Sequence, residues 1–229
     1  RQRQMCIRDR PDTTFAERTV WLFRNNLKVQ LTPDWRLIGK LNHSFSDSSR
    51  GEFYDGGYTE AVFGYAYRPV RNDRLSALAK YTYFYNVPTT DQVAFQSTAV
   101  EFVQKSHIAA IDATYDLTAR WSIGGKVAYR LGQVSLDRED PVFFDNTAQL
   151  VVVRADWRFL DGWESLVEAR MLDLPDLEQR RSGALVAVYR YIGKHLKVGA
   201  GYNFTDFSDD LTDLGYDHQG AFVNLIGTM

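Results

Sequence analysis

The sequence predicts an all-β protein: an antiparallel, up-and-down transmembrane β-barrel, with about eleven strands present in the 229 residues and twelve or more in the intact protein. Three observations predict this fold. Strand-length segments alternate between apolar and polar residues, the connections between them alternate between short and long, and most tryptophans lie beside the short connections. Alternation with a period of two is typical of a β-strand with two unlike faces.

The segment "WRLIGKLNHSF" shows the alternation most plainly. Trp35, Leu37 and Leu41 share one parity, whereas Arg36 and Lys40 share the other. Similar segments recur along the chain with turn residues between them. The predicted strands are Val20–Leu31, Trp35–Phe45, Tyr58–Arg68, Leu75–Asn86, Gln104–Leu117, Trp121–Leu131, Ala148–Phe159, Trp163–Leu172, Gly183–Ile192, Leu196–Thr205 and Gln219–Met229.

The connections fall into two classes that alternate along the chain. The tight connections are residues 32–34, 69–74, 118–120, 160–162 and 193–195. The long, polar connections are residues 46–57, 87–103, 132–147, 173–182 and 206–218. Every second connection of an up-and-down meander lies at the same end, so one rim is expected to carry short turns and the other long loops.

The two parities differ sharply in charge. One parity is almost free of charge: Trp21, Phe23, Leu27, Val29, Leu31, Trp35, Leu37, Leu41, Ala61, Phe63, Tyr65, Tyr67, Leu75, Ala77, Ala79, Tyr81, Tyr83, Tyr85, Trp121, Ile123, Val127, Tyr129, Val151, Val153, Ala155, Trp157, Phe159, Leu185, Ala187, Tyr189, Tyr191, Leu196, Val198, Ala200, Tyr202 and Phe204. The other parity carries Arg24, Lys28, Arg36, Lys40, Glu60, Arg68, Lys80, Asp112, Asp116, Lys126, Arg130, Arg154, Asp156, Arg158, Glu164, Glu168, Arg170, Arg190 and Lys197.

The aromatic-rich parity is predicted to face lipid and the charged parity a lumen. The opposite arrangement would force the many aromatic side chains into one lumen, whereas a charged lumen lets the charges meet each other and water. Only a closed barrel satisfies the backbone of membrane-spanning strands. The chain has no run of about 18 apolar residues that would predict a membrane helix.

Aromatic side chains are placed as two belts. Trp35, Trp121, Trp157 and Trp163 lie beside tight turns, whereas Tyr83, Tyr85 and Phe204 lie toward the long-loop ends. Amphipathic rings are enriched at both membrane interfaces. These seven residues are therefore predicted to form an aromatic girdle.

The N-terminus differs from the rest of the chain. The stretch "RQRQMCIRDR", which holds the only cysteine, Cys6, resembles the translation of a sequencing adaptor, and residues 1–12 are expected to be non-native or disordered. Residues 13–229 are then an N-terminally truncated barrel domain. Single-chain bacterial barrels have even strand numbers, which makes twelve strands the smallest completion of eleven.

The C-terminal stretch "GYNFTDFSDDLTDLGYDHQGAFVNLIGTM" resembles the closing hairpin of Gram-negative outer-membrane β-barrel proteins. Gly220, Phe222, Val223, Leu225 and Met229 match that family's assembly signal, although the family usually ends in Phe or Trp. The tail is also similar to barrels that terminate large modular surface proteins. The resemblance implies a bacterial outer-membrane location, with lipid, lipopolysaccharide and the barrel-assembly machinery as partners.

Candidate sites of chemistry are sparse, and no enzyme, cofactor or metal is expected. A hydrolase is a remote alternative, suggested by the adjacent residues His43 and Ser44. Their opposite parities point the two side chains to different faces, so they cannot act together as base and nucleophile. The loop of residues 205–217 holds Asp206, Asp209, Asp210, Asp213 and Asp217, and a solvated acidic loop is favoured over a calcium site because the EF-hand spacing is missing. The net charge of −2 gives no reason to expect nucleic acid as a partner.

Two functions remain open. Arg154, Asp156, Arg158, Glu164, Glu168 and Arg170 share the inward parity on neighbouring strands and are predicted to form a charge network that closes the lumen. This interpretation favours a membrane anchor or assembly domain of a surface protein. The alternative is a small-solute, porin-like channel, anion-preferring because the charged parity has 13 basic and 6 acidic residues.

Overall fold

Antiparallel strands make up most of the computed structural model, which describes residues 2–3, 18–48, 56–87, 103–137, 140–193, 195–207, 211 and 219–227. The strands are β1 Gln2–Arg3, β2 Arg18–Gln30, β3 Trp35–Ser48, β4 Gly57–Tyr67, β5 Leu75–Val87, β6 Val103–Asp116, β7 Trp121–Ser135, β8 Phe144–Leu160, β9 Trp163–Leu174, β10 Gln179–Ile192, β11 Leu196–Asn203 and β12 Gly220–Gly227. A single 3-10 turn, Pro175–Leu177, separates β9 from β10.

The strands form one sheet in chain order, and each strand pairs antiparallel with its sequence neighbours. The predicted up-and-down meander and its eleven long strands, β2 to β12, are therefore confirmed. The short β1 pairs with β2 through Gln2 opposite Val20 and Arg3 opposite Thr19. Within the described ranges no pairing joins β12 to β1 or β2, so the sheet is not closed. No helix in these ranges is long and apolar enough to cross a membrane.

Strands at the long-loop end run further than the sequence predicts. Gln133 pairs with Asp145 and Arg180 with Asp173, inside the segments 132–147 and 173–182 that were expected to be loops. The second of these is reduced to the turn at residues 175–178. Backbone hydrogen bonds continue the ladder where the side chains no longer alternate in polarity, which is why the pattern stops before the strand does.

The register aligns residues of one parity into rows that cross the sheet, and these rows define an apolar face and a polar face. One row on the apolar face contains Leu37, Tyr65, Ala79, Ile111, Val127, Val151 and Met171. Large side chains on this face are exposed, including Ile111 (62%), Val127 (59%) and Val153 (61%). An exposed apolar surface of this size marks a surface that contacts lipid or another partner.

Strand β10 contradicts part of the predicted facing. Leu185 lies opposite Glu168, Ala187 opposite Leu166, and Tyr189 opposite Glu164, so these residues are on the polar face with Tyr191. Ala187 and Tyr189 are 1% and 8% exposed, whereas Val186 and Val188 are 42% and 40% exposed. Arg190 correspondingly lies on the apolar face. The sequence misleads here because residues 184–188 are apolar at both parities, so alternation alone does not choose a face.

Candidate functional site on the polar face

The predicted charge network lies on the polar face of β8 and β9. Arg154 donates from Nε and Nη2 to the two carboxylate oxygens of Asp156, both at 2.8 Å. Arg170 donates from Nε alone to one carboxylate oxygen of Glu168. The carboxylates are shielded from water, since Asp156, Glu164 and Glu168 are 6–9% exposed. Bidentate and charge-assisted hydrogen bonds offset the cost of removing such charges from water.

The pairing pattern differs from the one expected. Arg154 stands opposite Glu168 in the register, but the ion pairs form between residues two apart on the same strand. The pair that crosses strands joins Lys197 Nζ to Glu164 Oε1 at 3.0 Å, passing over β10. Tyr191 donates to the other oxygen of Glu164 at 2.8 Å. Tyr191 was missed because its parity on β10 was misassigned.

A second polar cluster lies on β3 and β4 and was not predicted as a site. Glu60 accepts hydrogen bonds from Lys40 at 2.8 Å, Asn42 at 3.0 Å and Tyr58 at 3.0 Å. The register places Asn42 directly opposite Glu60. The sequence could have revealed this cluster, because pairing the predicted strands β3 and β4 brings polar residues of the charged parity opposite one another.

An apolar cluster fills the polar face near the long-loop end. Two residues from the predicted acidic loop, Phe207 and Leu211, are 2% exposed and pack against strand residues at positions of the charged parity. We call Phe207 and Leu211 the inward pair. Together with the strand residues that they contact, they form the inner apolar cluster. Its strand members are Ile108, Ala110, Ala128, Ala148, Leu150, Val152, Leu172 and Leu174. The expectation that the loop is solvated is wrong at the inward pair.

Polar contacts hold the inward pair in place. The buried Arg130 donates from Nη1 to the Leu211 carbonyl oxygen at 2.9 Å, and Thr205 Oγ1 donates to the Ala184 carbonyl oxygen at 3.4 Å. Asp206 lies 3.9 Å from Arg181. The other four aspartates of the predicted acidic loop lie outside the described residues: Asp209, Asp210, Asp213 and Asp217. That this loop does not bind calcium therefore stays a prediction.

The predicted aromatic girdle residues occupy the two ends of the apolar face. At the short-turn end, Trp35 stacks on Tyr65 at 4.5 Å and Trp121 on Trp157 at 5.2 Å between ring centroids. Arg190 lies 5.2 Å from the ring of Trp163. The remaining girdle residues lie toward the long-loop end: Tyr83 contacts His107, Phe204 contacts Tyr202, and Tyr85 stands opposite Lys105.

The residues of the predicted assembly signal lie on β12, apart from Met229, which is outside the described residues. Gly220 begins the strand, and Val223 and Leu225 point to the apolar face, where they are 78% and 72% exposed. Phe222 points to the other face and packs against Leu166, Ala187 and Tyr189.

Two histidines, His43 and His107, have hydrogen-bond partners on the apolar face. His43 Nδ1 lies 2.9 Å from Thr59 Oγ1, and His107 Nδ1 lies 2.6 Å from the Tyr81 hydroxyl. In the part of the chain that the structure describes, no group of three or more His, Cys, Asp or Glu side chains could hold a metal ion.

No family model matches the sequence, and no curated protein matches it. Solved structures do match. The chain is similar to the siderophore receptor PirA from Pseudomonas aeruginosa, with a TM-score of 0.57 and 12% identity over 82% of this chain and 34% of the receptor. It therefore spans about a third of the length of that receptor. The toluene transporter TodX from Pseudomonas putida matches with a TM-score of 0.46 and 12% identity, over 93% of this chain and 72% of TodX.

The geometry and the receptor match together define a class of protein. An antiparallel up-and-down sheet with one apolar and one charged face, similar to part of the siderophore receptor, has the fold of outer-membrane β-barrels, although the sheet is not closed within the described residues. At 12% identity the likeness concerns the fold.

Proposed function

We propose that the chain is an outer-membrane β-barrel of a Gram-negative bacterium that acts as the membrane anchor and assembly domain of a surface protein. Its apolar face contacts lipid and lipopolysaccharide, and β12 carries the signal for the barrel-assembly machinery. The proposal includes no catalytic step, cofactor or nucleic acid.

The observation that carries the proposal is the filled polar face. Phe207 and Leu211 occupy the long-loop end of this face, and their contacts with the inner apolar cluster exclude water there. The ion pairs of Arg154, Glu168 and Lys197 occupy the short-turn half. A passage for solutes needs a water-filled path, whereas the charged side chains named above on β8, β9 and β11 are paired with one another.

The second candidate is a small-solute channel that prefers anions. The specific observation in its favour is the excess of basic residues on the polar face, which persists after Arg190 is assigned to the apolar face. Several of these residues, including Arg24 and Lys28 on β2, are exposed. In this alternative the inward pair is a constriction and not a closure.

Single-channel recording of the protein in planar bilayers tests the proposal. The unmutated protein is expected to conduct little. Replacing both members of the inward pair with serine should open a leak, because it removes the apolar seal while keeping the backbone. The matched control, Val223→Ser with Leu225→Ser on the apolar face, should not. A large, stable, anion-preferring current from the unmutated protein would refute the anchor and establish the channel.

A further inference from the structure

Two arginines meet at the short-turn end of the polar face, next to two adjoining cavities. The smaller cavity has a volume of about 190 Å³ and the larger about 630 Å³, and Arg120, Arg158 and Tyr191 line both. The Arg158 backbone N–H donates to the Arg120 carbonyl oxygen at 2.8 Å, so the two residues are cross-strand neighbours. Side chains at such positions leave the same face of the sheet and lie close together.

Two of the carboxylates around these arginines, Asp156 and Glu164, are already engaged, and Asp116 and Asp161 also line the cavities. Asp156 accepts hydrogen bonds from Nε and Nη2 of Arg154, one on each carboxylate oxygen. Glu164 accepts from Lys197 and from Tyr191, one on each oxygen. Within the described part of the chain, neither Arg120 nor Arg158 forms an ion pair. The side-chain hydrogen bond of Arg158 there is a long one, 3.4 Å from Nη1 to the Ala119 carbonyl oxygen.

The two guanidinium groups, neither of which is in an ion pair, repel each other on neighbouring positions, and Glu164 offsets only part of this repulsion for Arg158. A guanidinium presents a planar fork of donors that matches the oxygens of carboxylate and phosphate groups. An oxyanion between the two forks would relieve the repulsion and accept hydrogen bonds from both side chains. A volume of about 190 Å³ suits a small anion, and Asp116 on the wall of the same cavity disfavours a larger polyanion.

We infer that Arg120 and Arg158 form a binding site for a small oxyanion, a carboxylate or a phosphate, at the short-turn mouth of the polar face. The anion is a free solute and not a lipid headgroup, because both arginines share the polar face with Ser122 and Asp156. Trp121 and Trp157, the adjacent residues in the chain, point to the opposite, apolar face.

Phosphate binding to the intact protein in a phosphate-free detergent tests this inference. Inorganic phosphate is titrated at constant ionic strength and followed by its ³¹P resonance. Arg120→Gln and Arg158→Gln should each weaken binding about tenfold, the order expected for one charge-assisted hydrogen bond. The matched control is Arg71→Gln, which removes an exposed arginine from another tight turn at the same end and should leave binding unchanged.

A second measurement separates binding from a structural role. Without phosphate, Arg158→Gln should unfold at the same urea concentration as the unmutated protein or a higher one, because it removes repulsion. With phosphate, only the unmutated protein and Arg71→Gln should gain stability. The inference is overturned if all variants bind phosphate equally, if Arg158→Gln is destabilised without phosphate, or if vesicles of phosphatidylglycerol bind where inorganic phosphate does not.

Discussion

Arginine substitution at Val153 tests which face of the sheet contacts lipid. Val153 is 61% exposed on the apolar face and lies four residues from Trp157 of the aromatic girdle. Four residues rise about 13 Å along a strand, or about 10 Å along the membrane normal at a tilt of about 40°. The apolar band of such barrels is about 25 Å tall, so Val153 lies close to its middle. Val153→Arg should therefore cost about 2–4 kcal/mol of folding free energy in bilayers.

Leu78→Arg is the control on the polar face. Leu78 lies three residues from the start of β5, at the short-turn end. Leu78 lies on the polar face opposite Asp112, beside a cavity of about 430 Å³, so its guanidinium gains a partner and water. Its cost should be about 0–1 kcal/mol.

Equilibrium urea unfolding in phosphatidylcholine vesicles, followed by tryptophan fluorescence, measures both variants. Equal costs at Val153 and Leu78, or a larger cost at Leu78, would refute the assignment of the two faces. Val152 is not a suitable control although it is adjacent to Val153. It is 6% exposed within the inner apolar cluster and stands opposite Arg170, so an arginine there would be buried beside a like charge.

Three further predictions concern topology, the inner apolar cluster and the charge network. A cysteine at Leu177, which is 66% exposed at the long-loop end, should react with an impermeant maleimide on intact cells, whereas one at His195 in a tight turn should not; reversed labelling would invert the orientation. Phe207→Ala should destabilise the protein by about 3–5 kcal/mol, because it leaves a cavity in the inner apolar cluster, and a loss below about 1 kcal/mol on urea unfolding would mean that the residue does not seal the face. Glu164→Gln should cost about 3 kcal/mol because it leaves the half-buried Lys197 without its counter-charge, and adding Lys197→Met should recover most of that loss; additive costs in the double variant would show that the two residues are not coupled.

The sequence predicts the meander well because most strands pair large apolar residues on one parity with charges on the other. In β3, Trp35, Leu37 and Leu41 share one parity and Arg36 and Lys40 the other, so the facing follows from the strand alone. Strand β10 has no such contrast, and its facing is decided by its neighbours: Glu164 and Glu168 on β9 and Gly199 on β11. Tyr189 lies over Gly199, where the ring occupies the space that a Cβ would need.

The inner apolar cluster is harder to predict because it joins distant parts of the chain. Leu150, Val152 and Leu172 are apolar residues at positions of the charged parity. These exceptions to the alternation are the sequence feature that indicates an apolar cluster on the polar face. It does not reveal which loop covers them. The pairing of Phe207 and Leu211 with these strands depends on the register of the whole sheet, and Arg130 gains its partner on residue 211 from 81 positions away. Local sequence patterns do not specify contacts over that separation.

The two faces of β10 test directly whether the apolar face contacts lipid and whether the polar face of this strand is packed against other side chains. Nitroxide labels at Val188→Cys and Tyr189→Cys, in the Cys6→Ser background and reconstituted in bilayers, report accessibility to oxygen, which is concentrated in lipid, and to a water-soluble nickel chelate. We predict high oxygen accessibility at residue 188 and low accessibility to both reagents at residue 189. High oxygen accessibility at residue 189 with little at residue 188 would contradict this prediction.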